Sequence, residues 1–161
     1  MPQKDKEISL VMAVPKMPKS PIDDLDINFT SSVETILKVE DSEFIPSYKD
    51  SGSPSADLVA NLEGDDIIVE VGKVSTIKCG FSMHVPFGYK VIINPNEKLV
   101  KKGLVTLNGP IGSYKIGELE VIVGNLGEKS IIICDGDKFA QMMIEPSLSF
   151  KFVQQDDYSL H

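Results

Sequence analysis

Three short stretches of the chain carry polar residues that could act on a small charged ligand. Asp57 stands in SPSADLVA, Tyr114 stands in LNGPIGSYKIGELEV, and Gln141 stands in GDKFAQM. The carboxylate of Asp57 suits Mg²⁺, an ion that takes oxygen ligands and keeps several waters. Each residue also has a structural alternative. Asp57 can cap the turn that follows Ser53, Tyr114 can be a packing residue, and Gln141 can satisfy backbone groups at a subunit contact.

The basic residues limit how a phosphate group could be held. All sixteen of them are lysines, and the chain contains no arginine. Arginine binds phosphate with a planar two-pronged fork, whereas lysine offers a single point charge. Any phosphate chemistry on this chain would therefore have to do without that fork.

Other catalytic arrangements have little support in the sequence. The two histidines, His84 and His161, are far apart in the chain, and no group of His and Cys shows the spacing of a metal site. Neither a GxxxxGK phosphate loop nor a GxGxxG fingerprint occurs. A Ser-His-Asp arrangement stays open, although no spacing points to one.

Length and charge bound the classes of function. A chain of 161 residues is large enough for one domain with its own core, and no apolar run approaches the roughly 20 residues of a membrane span. The formal net charge is −8, and residues 21–66 hold twelve acidic residues against two lysines. This acidic front half argues against binding to nucleic acid or an anionic membrane. Cys79 and Cys134 lie in apolar runs, which predicts buried free thiols and a reducing, cytoplasmic location.

The chain is predicted to divide into an arm, a β domain and a tail. Four prolines within the first twenty-one residues oppose a helix, so residues 1–26 are interpreted as an extended N-terminal arm, with a disordered segment as the alternative. Residues 27–155 alternate short strands with turn sequences, which is typical of an antiparallel sandwich or jelly roll. Residues 156–161 form the short tail, and residues 97–102 could make one helical turn. The predicted strands are INF, ETILKVE, DIIVEV, TIKCGF, YKVII, LVTL, GELEVIV, SIIIC, FAQMMIE and SFKFV.

Taken in order, the three polar stretches resemble the motifs of the trimeric dUTPase family. SPSADLVA (Ser53–Ala60) is similar to its small-Gly-x-Asp-Leu-x-Ala segment, and the stretch that starts at Leu107 is similar to its Gly-x-Ile-Asp-x-Asp-Tyr-x-Gly-Glu hairpin. GDKFAQM (Gly136–Met142) is similar to its Gly-Asp-Arg-x-Ala-Gln segment, and VPFGYKV (Val85–Val91) fits the turn before its second motif. The similarity covers residues 44–153 in family order.

The resemblance implies an all-β, dUTPase-like antiparallel jelly roll that forms a homotrimer with nucleotide sites at the subunit boundaries. Family members cleave dUTP to dUMP and pyrophosphate with Mg²⁺ and a base-activated water, and a glycine-rich C-terminal arm closes over the phosphates. By this resemblance Asp57 helps to organise the metal-bound triphosphate, Tyr114 packs on the deoxyribose, and Gln141 touches the phosphate region. Mg²⁺ is expected only if the nucleotide site is retained.

The chain also departs from the family pattern in three places. Gly112 stands where the family has the Asp that activates water, and loss of a positioned base typically costs about 10²–10⁴-fold in rate. Asn96 and Glu97 stand where an Arg and a Ser would meet phosphate oxygens, a loss that Lys98, Lys101 or Lys102 could partly offset. Residues 154–161 read QQDDYSLH, with neither arginine nor glycine to form a lid. Base, clamp and lid are thus altered together.

These departures favour a non-catalytic trimer that acts as a structural or binding module. Such a module could be a viral accessory or capsid-associated protein, in the cytoplasm or the virion, with its N-terminal arm on a protein partner. It could also capture or sense a deoxyuridine nucleotide. The alternative is a divergent dUTPase that recruits a different base, for which Asp135, Asp137 and Glu118 are the candidates.

Overall fold

The fold consists mainly of short antiparallel strands. The computed structural model describes residues 7–13, 32–113 and 115–154, with the backbone alone at residues 7–13, 32–34, 115 and 116. The predicted strand INF, the tail 156–161, Tyr114 and most of the arm lie outside the described residues. The elements are β1 (Glu7–Ala13), β2 (Ser32–Val39), β3 (Ser47–Tyr48), β4 (Ala56–Val59), β5 (Ile67–Val69), β6 (Val74–His84), β7 (Tyr89–Pro95), α1 (Glu97–Val100), β8 (Leu104–Thr106), β9 (Lys115–Asn125), β10 (Ile131–Ile133) and β11 (Lys138–Pro146).

The strands form two larger sheets and a two-stranded ribbon. One sheet has the order β1-β2-β6-β9-β8, the other has the order β3-β4-β11-β7, and β10 pairs with β5 in the ribbon. All of these pairs are antiparallel. Most neighbours in the sheets are distant in sequence, as in a sandwich whose strands cross between layers. The predicted all-β antiparallel class is therefore confirmed. No helix in the described ranges is long and apolar enough to cross a bilayer.

The core lies against the inner faces of these strands. In β9 the side chains of Leu119, Val121 and Val123 are buried, whereas Glu118 and Glu120 are exposed. This is the alternation of a half-buried strand that the sequence predicts. Apolar side chains from both sheets and from the ribbon join in a single buried cluster.

Near both ends of the chain, the observed strands differ from the predicted ones. Residues 149–153 form no strand, so that prediction is wrong: Phe150 and Phe152 are 80% and 94% exposed. A β-strand needs a neighbouring backbone, and no described residue offers one to this segment. At the other end, Glu7–Ala13 pairs with β2 along its whole length and forms the edge of the larger sheet. The division into arm, domain and tail stays a prediction.

A contact between two glycine backbones fixes the segment after α1, the one-turn helix that the sequence predicts. Gly103 has a φ of +98°, and a Cβ at this position would lie 2.3 Å from the backbone nitrogen of Gly127. The N–H of Leu126 donates to the carbonyl oxygen of Gly103 at 2.9 Å. Side chains other than hydrogen have no room here, so the turn depends on both glycines.

We expect Gly103→Ala to lower the free energy of unfolding by about 2–4 kcal/mol, because the methyl group would add steric overlap to backbone strain. Gly109→Ala is the matched control, since a Cβ there meets no heavy atom within 4 Å. Urea denaturation of both variants checks this. Equal stability of the two variants would contradict the close-contact interpretation.

The two cysteines are free thiols, as predicted; Cys79 is buried, whereas Cys134 is only half-buried. Burial raises the pKa of the Cys79 thiol to about 12, and the negative charge of Glu118 adds to the shift. The folded protein therefore keeps this thiol neutral at a pH where the unfolded chain ionises it.

We expect this thiol to make stability fall at alkaline pH. Below the unfolded pKa of 9.0 both states hold the proton, and between that value and about 12 only the folded state does. The free energy of unfolding should then fall by up to about 1.4 kcal/mol per pH unit more in the parent protein than in Cys79→Ala. Urea titrations at successive pH values measure the free energy of unfolding of both proteins. The same dependence on pH in the parent and in Cys79→Ala would contradict the prediction.

Candidate functional site

The candidate carboxylate, Asp57, lies on the outward face of β4. Its neighbours Ala56 and Leu58 are fully buried, and this alternation leaves the Asp57 side chain directed away from the core with 15% of its surface exposed. The turn before β4 is capped by a different residue. The carboxylate of Asp50 accepts from the backbone N–H of Gly52 at 2.9 Å. The hydrogen bonds described for the Asp57 carboxylate go to side chains of β11 and to no backbone N–H of a turn.

Gln141 and Lys138 hold the Asp57 carboxylate from the neighbouring strand β11. The Nε2 of Gln141 donates to one carboxylate oxygen at 3.0 Å, and the Nζ of Lys138 donates to the other at 3.1 Å. The hydroxyl of Ser55 donates to Oε1 of Gln141 at 3.1 Å. The structure thus brings together Asp57 and Gln141, which the sequence singles out, and adds Lys138 and Ser55.

A β-bulge explains how both β11 residues reach one carboxylate. Lys138 and Gln141 are three residues apart, so in a regular strand their side chains would point to opposite faces. The register of β11 against β4 shifts between Lys138 and Ala140. One extra residue in the strand returns both side chains to the face of Asp57. Sequence reasoning missed Lys138 because a bulge has no periodic signature, although Lys138 occupies the Arg position of the family segment.

The start of α1 lies beside the same strand. The backbone N–H of Asn96 donates to the carbonyl oxygen of Phe139 at 2.9 Å, and the Oδ1 of Asn96 accepts from the N–H of Lys98 at 2.9 Å. Asn96 therefore acts as the helix cap. Lys98 is exposed and forms no ion pair with a described residue.

Glu97 brings negative charge to this helix start. Its carboxylate bonds the Nζ of Lys101 at 2.9 Å on the exposed face. This hydrogen bond and the charge of Lys101 lower the pKa of Glu97, so the carboxylate stays ionised at neutral pH. An incoming phosphate would meet this negative charge.

The hairpin segment that starts at Leu107 is pinned by side chains. Asn108 bonds the backbone of β9 twice, accepting from the N–H of Ile122 at 2.8 Å and donating to the carbonyl oxygen of Glu120 at 3.1 Å. Ile111 exchanges backbone hydrogen bonds of 2.8 and 2.9 Å with Val91 on β7. These contacts set the path of the backbone up to Gly112, which has no side chain to offer.

Ser113 completes the anchoring of this segment. Its hydroxyl lies 2.8 Å from the carbonyl oxygens of both Pro86 and Tyr89, and it accepts from the N–H of Tyr89 at 3.3 Å. The hydroxyl is thus occupied in holding the 86–89 turn. Tyr114 lies outside the described residues, so its role stays a prediction.

The alternative bases have structural contacts of their own. The Asp135 carboxylate accepts from the N–H groups of Leu62 and Gly64 at 2.7 and 3.0 Å, and that of Asp137 accepts from the N–H of Cys134 at 2.9 Å. Glu118 lies 3.7 Å from the Nζ of Lys78. Asp135 and Asp137 therefore cap turns, and the hydrogen bonds and ion pairs described for the three candidate carboxylates involve no residue from Leu107 to Ser113.

The hairpin segment and the Asp57 cluster meet β7 at different points. Ile111 bridges to Val91, whereas Gln141 lies opposite Asn94. Three residues along a strand span about 10 Å. Within one chain, the two halves of the candidate site are thus separate. No group of three or more His, Cys, Asp or Glu residues suited to a metal ion occurs in the part of the chain that the structure describes.

Comparisons with known proteins point to one family. A family model described as dUTPase matches residues 43–159. The deoxyuridine 5'-triphosphate nucleotidohydrolase of Chlamydia muridarum is 31% identical over 123 residues, covering 74% of this chain and 84% of that protein. The corresponding protein of Desulfotalea psychrophila is 32% identical over 111 residues, with coverages of 67% and 73%.

Solved structures share the fold. The dUTPase of Staphylococcus bacteriophage 80alpha with dUpNHpp has a TM-score of 0.68 at 17% identity, covering 78% of this chain and 89% of that chain. EIAV dUTPase has a TM-score of 0.63 at 24% identity, with coverages of 77% and 99%. A mutant dUTPase from phage phi11 of S. aureus, in which a structural Mg(II) ion is coordinated, has a TM-score of 0.66 at 16% identity, with coverages of 78% and 98%. The predicted dUTPase-like jelly roll is confirmed.

We expect Ser113→Ala to loosen the 86–89 turn, because three backbone groups lose their hydroxyl partner. The cost should be about 1 kcal/mol, together with faster amide exchange at Tyr89. Ser51→Ala is the control, since Ser51 is exposed and its hydroxyl bonds no described residue. Hydrogen exchange followed by NMR makes the comparison, and unchanged protection at Tyr89 would contradict this role of the hydroxyl.

Proposed function

The chain belongs to the dUTPase family, and from this premise we propose that it hydrolyses dUTP to dUMP and pyrophosphate, at a rate far below that of an ordinary enzyme. The observation that carries the proposal is the Asp57–Gln141 pair, fixed at 3.0 Å on neighbouring strands. Relatives that are 31% and 32% identical are named nucleotidohydrolases of this substrate. Their activity supports the reaction, and the residues of this chain support its slow rate.

Lysine supplies the positive charge for the phosphates in this proposal. Lys138 has three N–H donors and gives one to Asp57, which leaves two for phosphate oxygens. The exposed Lys98 lies in α1, whose N-terminal cap Asn96 bonds β11 through its backbone N–H. Asp57 orients Lys138 and Gln141 by accepting from both, so it acts as a positioning residue. Glu97 opposes binding through its charge.

Activation of the attacking water is the step of the proposed reaction that this chain supports least. Gly112 has no group that could accept a proton, and both oxygens of Asp57 already accept hydrogen bonds. The attacking water therefore has no fixed base among the described residues. The absence of a positioned base reduces the rate by about 10²–10⁴-fold relative to an enzyme that has one.

Membership of the dUTPase family supports a homotrimer. If the hairpin segment of one subunit faced the Asp57 cluster of the next, the two halves that lie about 10 Å apart along β7 would combine into a site between chains. Deoxyuridine nucleotides would then bind at subunit boundaries.

The described residues do not form a Mg²⁺ site by themselves. Asp57 is the one carboxylate of the cluster, and the Lys138 ammonium group already lies 3.1 Å from it. A cation would have to displace that ammonium to bind the carboxylate directly. We therefore derive no step through a metal ion, and Asp57 as a metal ligand stays a prediction.

We expect Gly112→Asp to raise kcat for dUTP by at least about tenfold, because the new carboxylate would lie where a base is needed. The parent protein should turn over below about 0.1 s⁻¹, against about 10 s⁻¹ for a median enzyme. Gly109→Asp, which adds the same charge three residues away, should leave the rate unchanged. Pyrophosphate release measures all three proteins.

A second function, capture of a deoxyuridine nucleotide without turnover, is favoured by Gly112, which has no group that could accept a proton from water. Calorimetry with dUTP separates the two functions. Binding without pyrophosphate release from the parent protein or Gly112→Asp would replace hydrolysis by capture. An absence of binding would leave a structural module, and parent turnover above about 1 s⁻¹ would refute the weak-base argument.

A further inference from the structure

A cavity of about 580 Å³ lies between the C-terminal end of α1 and the loop 126–130. Its lining includes Lys101, Lys102, Gly103, Gly127, Lys129 and Ser130. The volume falls within the range of cavities that hold small ligands. The cavity lies at the C-terminal end of α1, where Lys101 is about 7 Å along the helix axis from Asn96. The candidate nucleotide site lies at the other end of this helix.

The cavity is positively charged in an acidic protein. Three of its lining residues are lysines and one, Glu128, is acidic, whereas the whole chain carries a net charge of −8. Lys101 is engaged with Glu97 at 2.9 Å. Lys102 and Lys129 are exposed and form no ion pair with any residue that the structure describes. The ammonium groups of Lys102 and Lys129 are thus two positive charges, unpaired among the described residues, at one concave surface.

Unused hydrogen-bond donors accompany these charges. The backbone N–H groups of Glu128, Lys129 and Ser130 bond no acceptor in the described part of the chain, and neither does the Ser130 hydroxyl. Lysine ammonium, hydroxyl and backbone N–H groups are the donors that bind oxyanions in proteins. A cavity that combines them suits a multiply charged oxygen anion better than a neutral or cationic ligand.

The cavity walls are fixed before any ligand binds. The Nδ2 of Asn125 donates to the carbonyl oxygens of Val69 and Lys129 at 2.8 Å each, and its Oδ1 accepts from the N–H of Gly127 at 2.9 Å. Asn125 is itself 1% exposed. Together with the Gly103–Gly127 contact, these bonds hold the loop against β5 and the segment after α1, so little ordering of the backbone remains to oppose binding.

We propose that this cavity binds a phosphate-class oxyanion through Lys102, Lys129 and Ser130. The proposal does not depend on the activity toward dUTP, since none of these residues contacts the Asp57 cluster. Inorganic phosphate and pyrophosphate share the chemistry that the cavity recognises, and pyrophosphate carries the larger negative charge for the two lysines.

Titration of the full chain with sodium phosphate and, separately, sodium pyrophosphate tests the proposal by NMR at constant ionic strength. We expect saturable shifts of the amides at residues 101–103 and 127–130, with pyrophosphate binding more tightly. The double variant Lys102→Ala/Lys129→Ala should weaken binding by about tenfold or more. The double variant Lys49→Ala/Lys151→Ala removes the same charge from exposed positions elsewhere and should bind as the parent does.

Three results would overturn the proposal: shifts that grow linearly with anion concentration, equal weakening in both double variants, or saturable shifts confined to residues 96–98 and Asp57. Thermal melting of both double variants confirms that each is folded. Pyrophosphate release from dUTP should be unchanged in Lys102→Ala/Lys129→Ala, so a failure of the anion site and a failure of the proposed function are distinguishable.

Discussion

Strand β11 is hydrogen-bonded on both of its edges, and this constraint positions the candidate site. Gln141 lies opposite Asp57 of β4 on one side and opposite Asn94 of β7 on the other. The adjacent residues Ala140 and Met142 are fully buried. A slip of one residue in either register would turn Met142 to the surface and Gln141 into the core. Core packing therefore fixes the polar cluster, although none of the four side chains of the cluster is itself buried in the core.

The bulge in β11 adds Lys138 to that cluster. Without it, Lys138 would point away from Asp57, and the carboxylate would have a single donor instead of two. The ion pair is partly exposed, with 56% of the Lys138 side chain accessible, so it contributes little to stability. Its effect is instead on geometry, because Asp57 holds an ammonium group and an amide at fixed positions. Each oxygen of the carboxylate accepts one of these two hydrogen bonds.

The alternation of apolar and polar residues, together with the residues typical of turns, made most of the fold predictable. The alternation of Leu119, Val121 and Val123 with glutamates predicts a half-buried strand, and EKLVKK at residues 97–102 predicts one turn of helix; both are present. The segment SFKFV has the same composition as a strand but remains unpaired, because pairing depends on a partner that local sequence does not encode. The pairing of β1 with β2 was missed for the same reason.

The site was predictable only in part. Asp57 and Gln141 could be found because short motifs identify them, and their contact follows from the register of two strands. The roles of Asp135 and Asp137 could not be predicted, because a carboxylate that caps a turn and a carboxylate that activates water look alike in sequence. Lys138 required knowledge of a bulge. Contacts between distant residues thus decide which polar residues are free to react.

The hairpin segment shows why fold and catalysis can separate in this chain. Asn108, Ile111 and Ser113 bond the backbone of β9, β7 and the 86–89 turn, and these bonds specify the path of the segment. Gly112, the position at which the sequence predicts that the base is missing, lies between two of these anchors and contributes no side chain to any of them. The anchoring bonds therefore do not depend on the residue at position 112. The shape of the hairpin segment is therefore independent of the residue that would activate water, and stability alone does not require a base at this position.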